Sequence, residues 1–440
     1  MRQGKVYLKD VIDTKPIGIF LLIALFQSIV GKGIVFFRLI TAIWIALTAW
    51  MLYLTHRQHL KKNSIAEYSS APVASGIIYV FLTSIFSHYG LSPNTELFFN
   101  LFSITALFLM FRYQHVAWFF IAGLLLGLGF MIKYVVLFDA IPFGFFYIWL
   151  MEKAKKPWMH WFVRCALMAI GFFIPLLIVW MYYRQIGLED TFLFFSFELN
   201  SRYFTESLWQ DNVIYGLESF LRFFPVTFWF LYCCWNWRTT GPNLPVLGFF
   251  WIISVMIIIL IPGRHYFHYF IQCFLPLSLL AGSFFDERHS PGRALAWMRK
   301  PSVGYSILGL FMIINLFYQK KSFIDRPDYP RQVASFLKPK LQPGDIIYTG
   351  QYHPIIYLLT GTTSPTPYVH NSLLWTQDNS FAIDVSPTEE WSKIMAQHPR
   401  FVVMRLPFDS ENPLYHYLEE SYIPIKTFGD AAGVYERKEK

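Results

Sequence analysis

Apolar runs of roughly the 20 residues needed to cross a bilayer recur along this chain, separated by short polar turns. That alternation constrains the fold more than any other feature, because a bilayer interior offers the backbone no water and forces each run into a helix. The candidate spans are 34–55, 72–90, 97–113, 115–132, 135–151, 162–183, 213–237, 245–262, 267–284 and 303–319. Segment 17–30 is apolar but short, and Gly31 and Gly33 break it from the next run, so it reads as a helix at the interface. The expected fold is therefore a polytopic α-helical membrane protein with about ten spans. Composition agrees: 55% of residues are hydrophobic, 20% aromatic and 15% charged, against about a quarter charged in soluble domains.

The net charge of +9 raises the question of nucleic acid. The positive residues sit instead in loops between apolar runs, where they set membrane orientation, and no basic soluble module stands apart from them. Nucleic acid is thus excluded as a partner. The basic loops are His56–Lys62, Lys153–Lys156 and the linker with Arg288, Arg293, Arg299 and Lys300. Placed in the cytoplasm, they put residues 1–33, the turn 91–96, Lys133-Tyr134, the loop 184–212, the turn 262–267 and the tail from about 320 on the outer side. No apolar core stands near Met1, so no signal peptide is expected. The four cysteines, Cys165, Cys233, Cys234 and Cys273, lie inside apolar runs with no CxxC spacing, which argues against a disulfide framework or a zinc site.

From Lys320 the composition turns polar after a Pro-rich entry, Arg326–Pro330. Val333–Lys338 reads as a short helix and Asp345–Thr349 as a strand closing at Gly350. Ile355–Leu359, Phe401–Met404 and Gly433–Tyr435 alternate with turn residues in the same way. Residues 320–440 are expected to form a small α/β domain outside the membrane, beyond a transmembrane domain at 34–319.

Five polar clusters interrupt the apolar background, and ionisable groups at a membrane edge are functional candidates by default. The first is Asp10, Asp13 and Lys15, which otherwise reads as a solvated turn before a helix opened by Pro16. The second is Ser92–Glu96, where Asn94 or Thr95 would cap a helix and Glu96 would suit its positive end. Third, Lys133 and Tyr134 follow Gly123–Gly129, whose small residues permit close helix packing. Lys133 either snorkels to headgroups or meets an anion. Fourth is Arg184–Asn212, with Glu189, Asp190, Glu198, Asn200, Arg202, Tyr203, Glu206 and Asp211, whose Phe192–Phe197 run suggests that it folds back onto the membrane. Fifth is Gly263–Tyr269, where Arg264, His265, His268 and Tyr269 suit a phosphate and a sugar. His265 and His268 would also share a metal on one helical face, though no third ligand appears at matching spacing. An aromatic girdle with a snorkelling Arg is the bland alternative. All five clusters fall on one side of the membrane, which favours a single outward pocket for a lipid-linked anion.

The order Asp-Thr-Lys-Pro-Ile-Gly, then Gly-Lys-Gly-Ile-Val-Phe-Phe-Arg-Leu, resembles the polyprenyl-phosphate-sugar-dependent glycosyltransferases of the GT-C fold. The nearest groups are the protein mannosyltransferases and aminoarabinose transferases. Asn94-Thr95-Glu96, the glycine-spaced helix ending Ile132-Lys133-Tyr134, Gly-Arg-His-Tyr-Phe-His-Tyr before Leu275-Pro276, and Tyr357-Leu-Leu-Thr-Gly continue the resemblance along the chain. It implies sugar transfer from a polyprenyl phosphate to a lipid, glycan or protein acceptor on the outer face of the cell (inner) membrane. Asp10, Asp13 and Glu96 are then the catalytic candidates. Lys15, Lys133, Tyr134, Arg264, His265, His268 and Tyr269 are the candidates for holding the donor, and a divalent cation assists in some members. The resemblance also implies one more helix and an acidic pair ahead of Met1, so residues 1–33 are read as the remainder of a first outer loop, with an N-terminally shortened start expected. The competing expectations are a transporter or flippase of a lipid-linked head group, and an inactive relative. Internal repeats that would mark a transporter are not visible.

Overall fold

Seven helices among the described residues are long and apolar enough to cross a membrane: Ile34–Lys61, Thr95–Arg112, Tyr134–Lys153, Trp158–Gln185, Asn243–Leu260, Phe267–Phe285 and Pro301–Ser322. Four shorter apolar helices accompany them, Ile17–Val30, Ala71–Ile85, Val116–Phe130 and Phe224–Trp235. The last three coincide with the remaining expected spans, so the chain is a polytopic helical membrane protein. Ile17–Val30 has 14 residues, about 21 Å at 1.5 Å per residue, short of a hydrocarbon core about 30 Å thick. The computed structural model describes residues 4–31, 33–62, 69–85, 92–202, 208–236, 243–286, 293–370, 372–407 and 413–438. Tyr203, Glu206 and Arg288 lie outside them.

By its internal contacts the chain forms two units. One comprises residues 15–189 and 204–322, and holds the membrane helices. Its first helices are α1 (Ile17–Val30), α2 (Ile34–Lys62), α3 (Ala71–Ile85), α4 (Thr95–Arg112), α5 (Val116–Phe130), α6 (Leu137–Lys153) and α7 (Trp158–Gln185). Burial separates centre from rim: 72% of the span in α4 and 83% of that in Phe267–Phe285 is buried, against 22% for α7. The outer helices show large apolar side chains such as Phe173, Leu177 and Ile178 on their free surface, as lipid contact requires.

Glycine sets the closest helix pair. A Cβ on Gly123 would lie 2.0 Å from the Met168 carbonyl oxygen, one on Gly127 2.2 Å from that of Phe172, and one on Gly171 2.3 Å from that of Phe120. The backbones of α5 and α7 therefore touch where the small residues sit.

Two spans differ from expectation. The run 213–237 is broken into Trp209–Arg222 and Phe224–Trp235. Phe223 leaves the helix at φ −106°, ψ 28°, and Pro225 follows in the first turn of the new helix, where a missing N–H costs nothing. The run 267–284 is composite: a 3-10 helix Phe267–Cys273, an α-helix Phe274–Gly282 and a 3-10 turn Ser283–Phe285.

The second unit comprises residues 1–14, 190–203 and 323–440. Its four-stranded sheet has the order β1 (Ile347–Gly350), β2 (Phe401–Arg405), β4 (Ala432–Arg437), β3 (Tyr422–Phe428). β1 and β2 are parallel, and the other two pairs are antiparallel. Alternate residues of β2 serve two cores: Phe401 and Val403 meet Val333, Leu337 and Ile356, while Val402 and Met404 meet Trp391, Ile394 and Leu418. The segment Ile355–Leu359, expected to extend like a strand, is instead the helix Ile355–Thr360, closed by Gly361 in the left-handed region at φ 79°. The Phe192–Phe197 stretch is helical too, and Phe195 and Leu199 join Leu373, Ala382 and Ile383 of this unit. Phe195 thus packs against a protein core, while Phe197 stays exposed.

Candidate active site

In the membrane unit Glu96, His268 and Tyr269 stand on the two most buried of the seven long spans, α4 and Phe267–Phe285. α4 begins at Thr95 with Asn94 as N-cap residue, although the Asn94 side chain makes no capping hydrogen bond. Glu96 therefore enters in the first turn and is 1% exposed. Its Oε1 is paired with the Lys133 Nζ, and the Thr95 Oγ1 donates to its Oε2 at 3.0 Å. Lys133 also stands over the Tyr269 ring, 3.9 Å from the centroid. The ring thus faces the ammonium as a cation–π partner. Lys133 can sit there because the chain leaves α5 at Met131 and turns into the 3-10 segment Tyr134–Val136 before α6.

Lys15 is brought to the same turn by a tight backbone contact. The Gly18 N–H donates to the Met131 carbonyl at 2.8 Å. A Cβ at Gly18 would stand 2.3 Å from that oxygen, so only glycine lets α1 start here. Lys15 and Lys133 fall within electrostatic range of each other and of His268, which also feels Glu96. His268 packs edge-on against Tyr269, with ring centroids 4.7 Å apart. Two ammonium groups, an imidazole and a phenol thus gather beside a buried carboxylate, and the four are donors of the kind that an oxyanion needs.

His265 makes its contacts elsewhere. His265 turns to the Trp209–Arg222 helix, its Nε2 2.7 Å from Asn212 Oδ1 and its ring 4.6 Å from that of Tyr215. It precedes the 3-10 helix that carries His268, so the two imidazoles do not share a helical face as a joint metal site would need. Among the described residues no group of three or more His, Cys, Asp or Glu side chains could hold a metal ion. The divalent cation implied by the resemblance therefore has no fitting donor set there, and no step is derived through it. Arg264 is half-buried on the 263–269 segment, and Tyr134 packs against Phe130 at 4.9 Å.

Asp10 and Asp13 belong to the other unit. The Val6 N–H donates to Asp10 Oδ2 at 2.7 Å, which folds residues 6–11 into a turn. Tyr7 Oη donates to the Asp13 carbonyl at 2.7 Å, and the Ile12 N–H donates to the Pro367 carbonyl at 2.8 Å. Both carboxylates are engaged locally, since the Asp13 Oδ1 accepts from the Thr14 Oγ1 at 3.5 Å.

Sequence reasoning passed over Asp139 and Gln272. Asp139 is fully buried inside α6 and accepts from Ser103 Oγ at 2.6 Å, Trp251 Nε1 at 2.7 Å and Gln272 Nε2 at 2.9 Å. A carboxylate inside an apolar run is itself a signal of function. It would have marked Asp139, which the sequence offers as nothing more than one acidic residue after Glu96.

The comparisons place this geometry among known folds. The model of the dolichyl-phosphate-mannose-protein mannosyltransferase family matches residues 14–180, the part that holds Lys15, Glu96 and Lys133. No curated protein sequence matches the chain. A crystal structure of ArnT from Cupriavidus metallidurans bound to undecaprenyl phosphate is similar with a TM-score of 0.65 at 15% identity, over 96% of this chain and 87% of that one. The same protein in the apo state gives a TM-score of 0.61 at 14% identity over the same shares. The chain thus has the GT-C fold of the polyprenyl-phosphate-dependent glycosyltransferases, the fold that the order of its motifs implied.

Proposed function

We propose that the protein is a membrane glycosyltransferase that moves a sugar from a polyprenyl-phosphate donor to a lipid, glycan or protein acceptor on the outer face of the cell membrane. The observation that carries the reading is the gathering of Lys133 and His268 about one buried carboxylate, Glu96, with the Tyr269 ring against both and Lys15 within electrostatic range of Lys133 and His268. Two half-buried cations at one membrane edge repel each other, and a phosphate group offsets that cost. The fold similarity to a structure with undecaprenyl phosphate bound supports the donor class.

In the reaction the acceptor hydroxyl oxygen bonds to the anomeric carbon as the bond from that carbon to the phosphate oxygen breaks. The leaving group is the polyprenyl phosphate, and its added negative charge falls to Lys133 and Lys15. Lys133 has three N–H donors. Glu96 takes one and aims the others, which suits Glu96 to orientation more than to proton removal. The acceptor proton goes to a carboxylate. Asp10 and Asp13 are the carboxylates that the resemblance offers for that role.

The outer-face assignment rests on charge. Lys133 and the basic loop Lys153–Lys156 bracket α6, whose 17 residues separate them by about 26 Å, so a cytoplasmic basic loop puts Lys133 at the opposite face.

Reconstituted protein given a donor with a labelled sugar should transfer label covalently to acceptor, and Lys133→Ala should lower turnover by about a hundredfold or more, as for other oxyanion donors. Unchanged turnover in Lys133→Ala would remove the pocket. Label crossing the bilayer without joining an acceptor would replace transfer by transport.

A further inference from the structure

The segment that carries His268 and Tyr269 is a 3-10 helix, Phe267–Cys273. At three residues per turn, side chains at i and i+3 eclipse, so Tyr269 and Gln272 project along one line. Each meets the turn between α5 and α6: the Tyr269 ring lies under Lys133, and Gln272 Nε2 donates to the Val135 carbonyl at 3.2 Å. The same amide nitrogen donates to Asp139 Oδ1 at 2.9 Å. Asp139 is in turn anchored by Ser103 of α4 and by Trp251 of the Asn243–Leu260 helix. A second tie comes from Asn100, whose Nδ2 donates to the Ile271 carbonyl at 3.0 Å.

The geometry points to Asp139 and Gln272 as positioning residues that fix the register of Tyr269 against Lys133. This inference rests on the reading of Lys133 as the ligand of the donor phosphate. A continuous α-helix through 267–273 would offset residue 272 from residue 269 and break one of the two contacts, so the 3-10 form and the polar tie depend on each other. Asp139, Gln272, Ser103 and Trp251 are buried, so losing the Asp139 carboxylate would strand the Ser103 and Trp251 donors and leave Gln272 with the Val135 carbonyl alone, which couples the members of the tie.

The specific test reads Lys133 itself, by the rate at which a small acylating reagent modifies it in nanodisc-embedded protein, measured by peptide mass spectrometry. Pairing with Glu96 and cover by Tyr269 shield that amine from the reagent and keep its acylation slow. Gln272→Met fills the volume without the donor, and it should speed acylation about fivefold or more. Tyr269→Ala should speed it comparably, and adding Gln272→Met to Tyr269→Ala should give no further increase, because contacts in series are not additive. Asp139→Asn should keep the native rate, since its Oδ1 still accepts from Gln272 and Trp251 and its Nδ2 can donate to Ser103. Asp139→Ala should match Gln272→Met where it folds. Fully additive effects of Gln272→Met and Tyr269→Ala, or native Lys133 protection in Gln272→Met, would overturn the positioning role. Transfer assayed on the same samples separates the two claims. If the native protein transfers no sugar while the acylation pattern holds, the transferase reading falls and the positioning stands.

Discussion

At the scale of single residues, the site depends on close approaches that side-chain chemistry alone does not reveal. Gly18 is the clearest. It lies in the Lys-Pro-Ile-Gly motif three residues after Lys15, and its missing Cβ is what lets α1 begin against the Met131 carbonyl. Gly18→Ala must displace a backbone oxygen, an overpacking typically worth about 1–3 kcal/mol. It should lower the thermal midpoint and reduce transfer together, because the shift moves Lys15 away from Lys133. Gly309, whose Cβ would meet nothing within 4 Å, is the matched control, and Gly309→Ala should leave both properties near native. If the two substitutions behave alike in thermal scanning and turnover, the Gly18 contact does not place Lys15. The motif itself was legible in the sequence as lysine, proline and glycine in order. What the glycine touches was not, since Met131 is more than a hundred residues away in the chain.

Secondary-structure elements show where hydrophobic pattern suffices and where it fails. The long spans were readable because twenty apolar residues have one solution in a bilayer. The glycines of 123–129 pointed correctly to close helix packing, while the partner, α7 through Met168, Phe172 and Gly171, came only from the structure. Gly127→Leu inserts a branched side chain into a space that ends 2.2 Å from a carbonyl, and loss of monodisperse protein in detergent is the expected outcome. Gly144→Ala, facing only the Met168 methyl at 3.6 Å, should be tolerated. Equal yields by size-exclusion chromatography would show that α5 and α7 can separate without cost. The misreadings share a physical cause. Ile355–Leu359 is short and apolar throughout, so it has no period to distinguish strand from helix. β3 was missed because its burial is confined mostly to its ends, Tyr422 and Phe428, with exposed Ile423, Pro424 and Lys426 between them. The 3-10 form of 267–273 was not read from the sequence, and the residues it is tied to, Asp139 and Asn100, lie far away in the chain.

For the whole molecule, the strongest constraint is polarity across the membrane unit. The paired Glu96 and Lys133 lie at the start of α4 and just ahead of α6, whereas the basic residues His56–Lys62 and Lys153–Lys156 lie at the ends of α2 and α6. A donor whose sugar is carried on a lipid phosphate must present that phosphate at one headgroup layer, so the function requires that the cationic group occupy a single face. The proposed orientation puts that face outside, as the positive-inside rule favours, and two cysteines expected on opposite sides of the membrane test the proposal. Lys156→Cys sits on the exposed turn between α6 and α7, and Glu420→Cys on the exposed side of the Pro413–Ser421 helix in the other unit. The native thiols Cys233 and Cys273 are buried and Cys165 and Cys234 half-buried, which keeps the background low. A membrane-impermeant maleimide should label Glu420→Cys in intact cells and Lys156→Cys only after permeabilisation. Labelling of Lys156→Cys in intact cells would place the basic loop outside and Lys133 at the cytoplasmic headgroups, and the donor would then have to be used on the inner face.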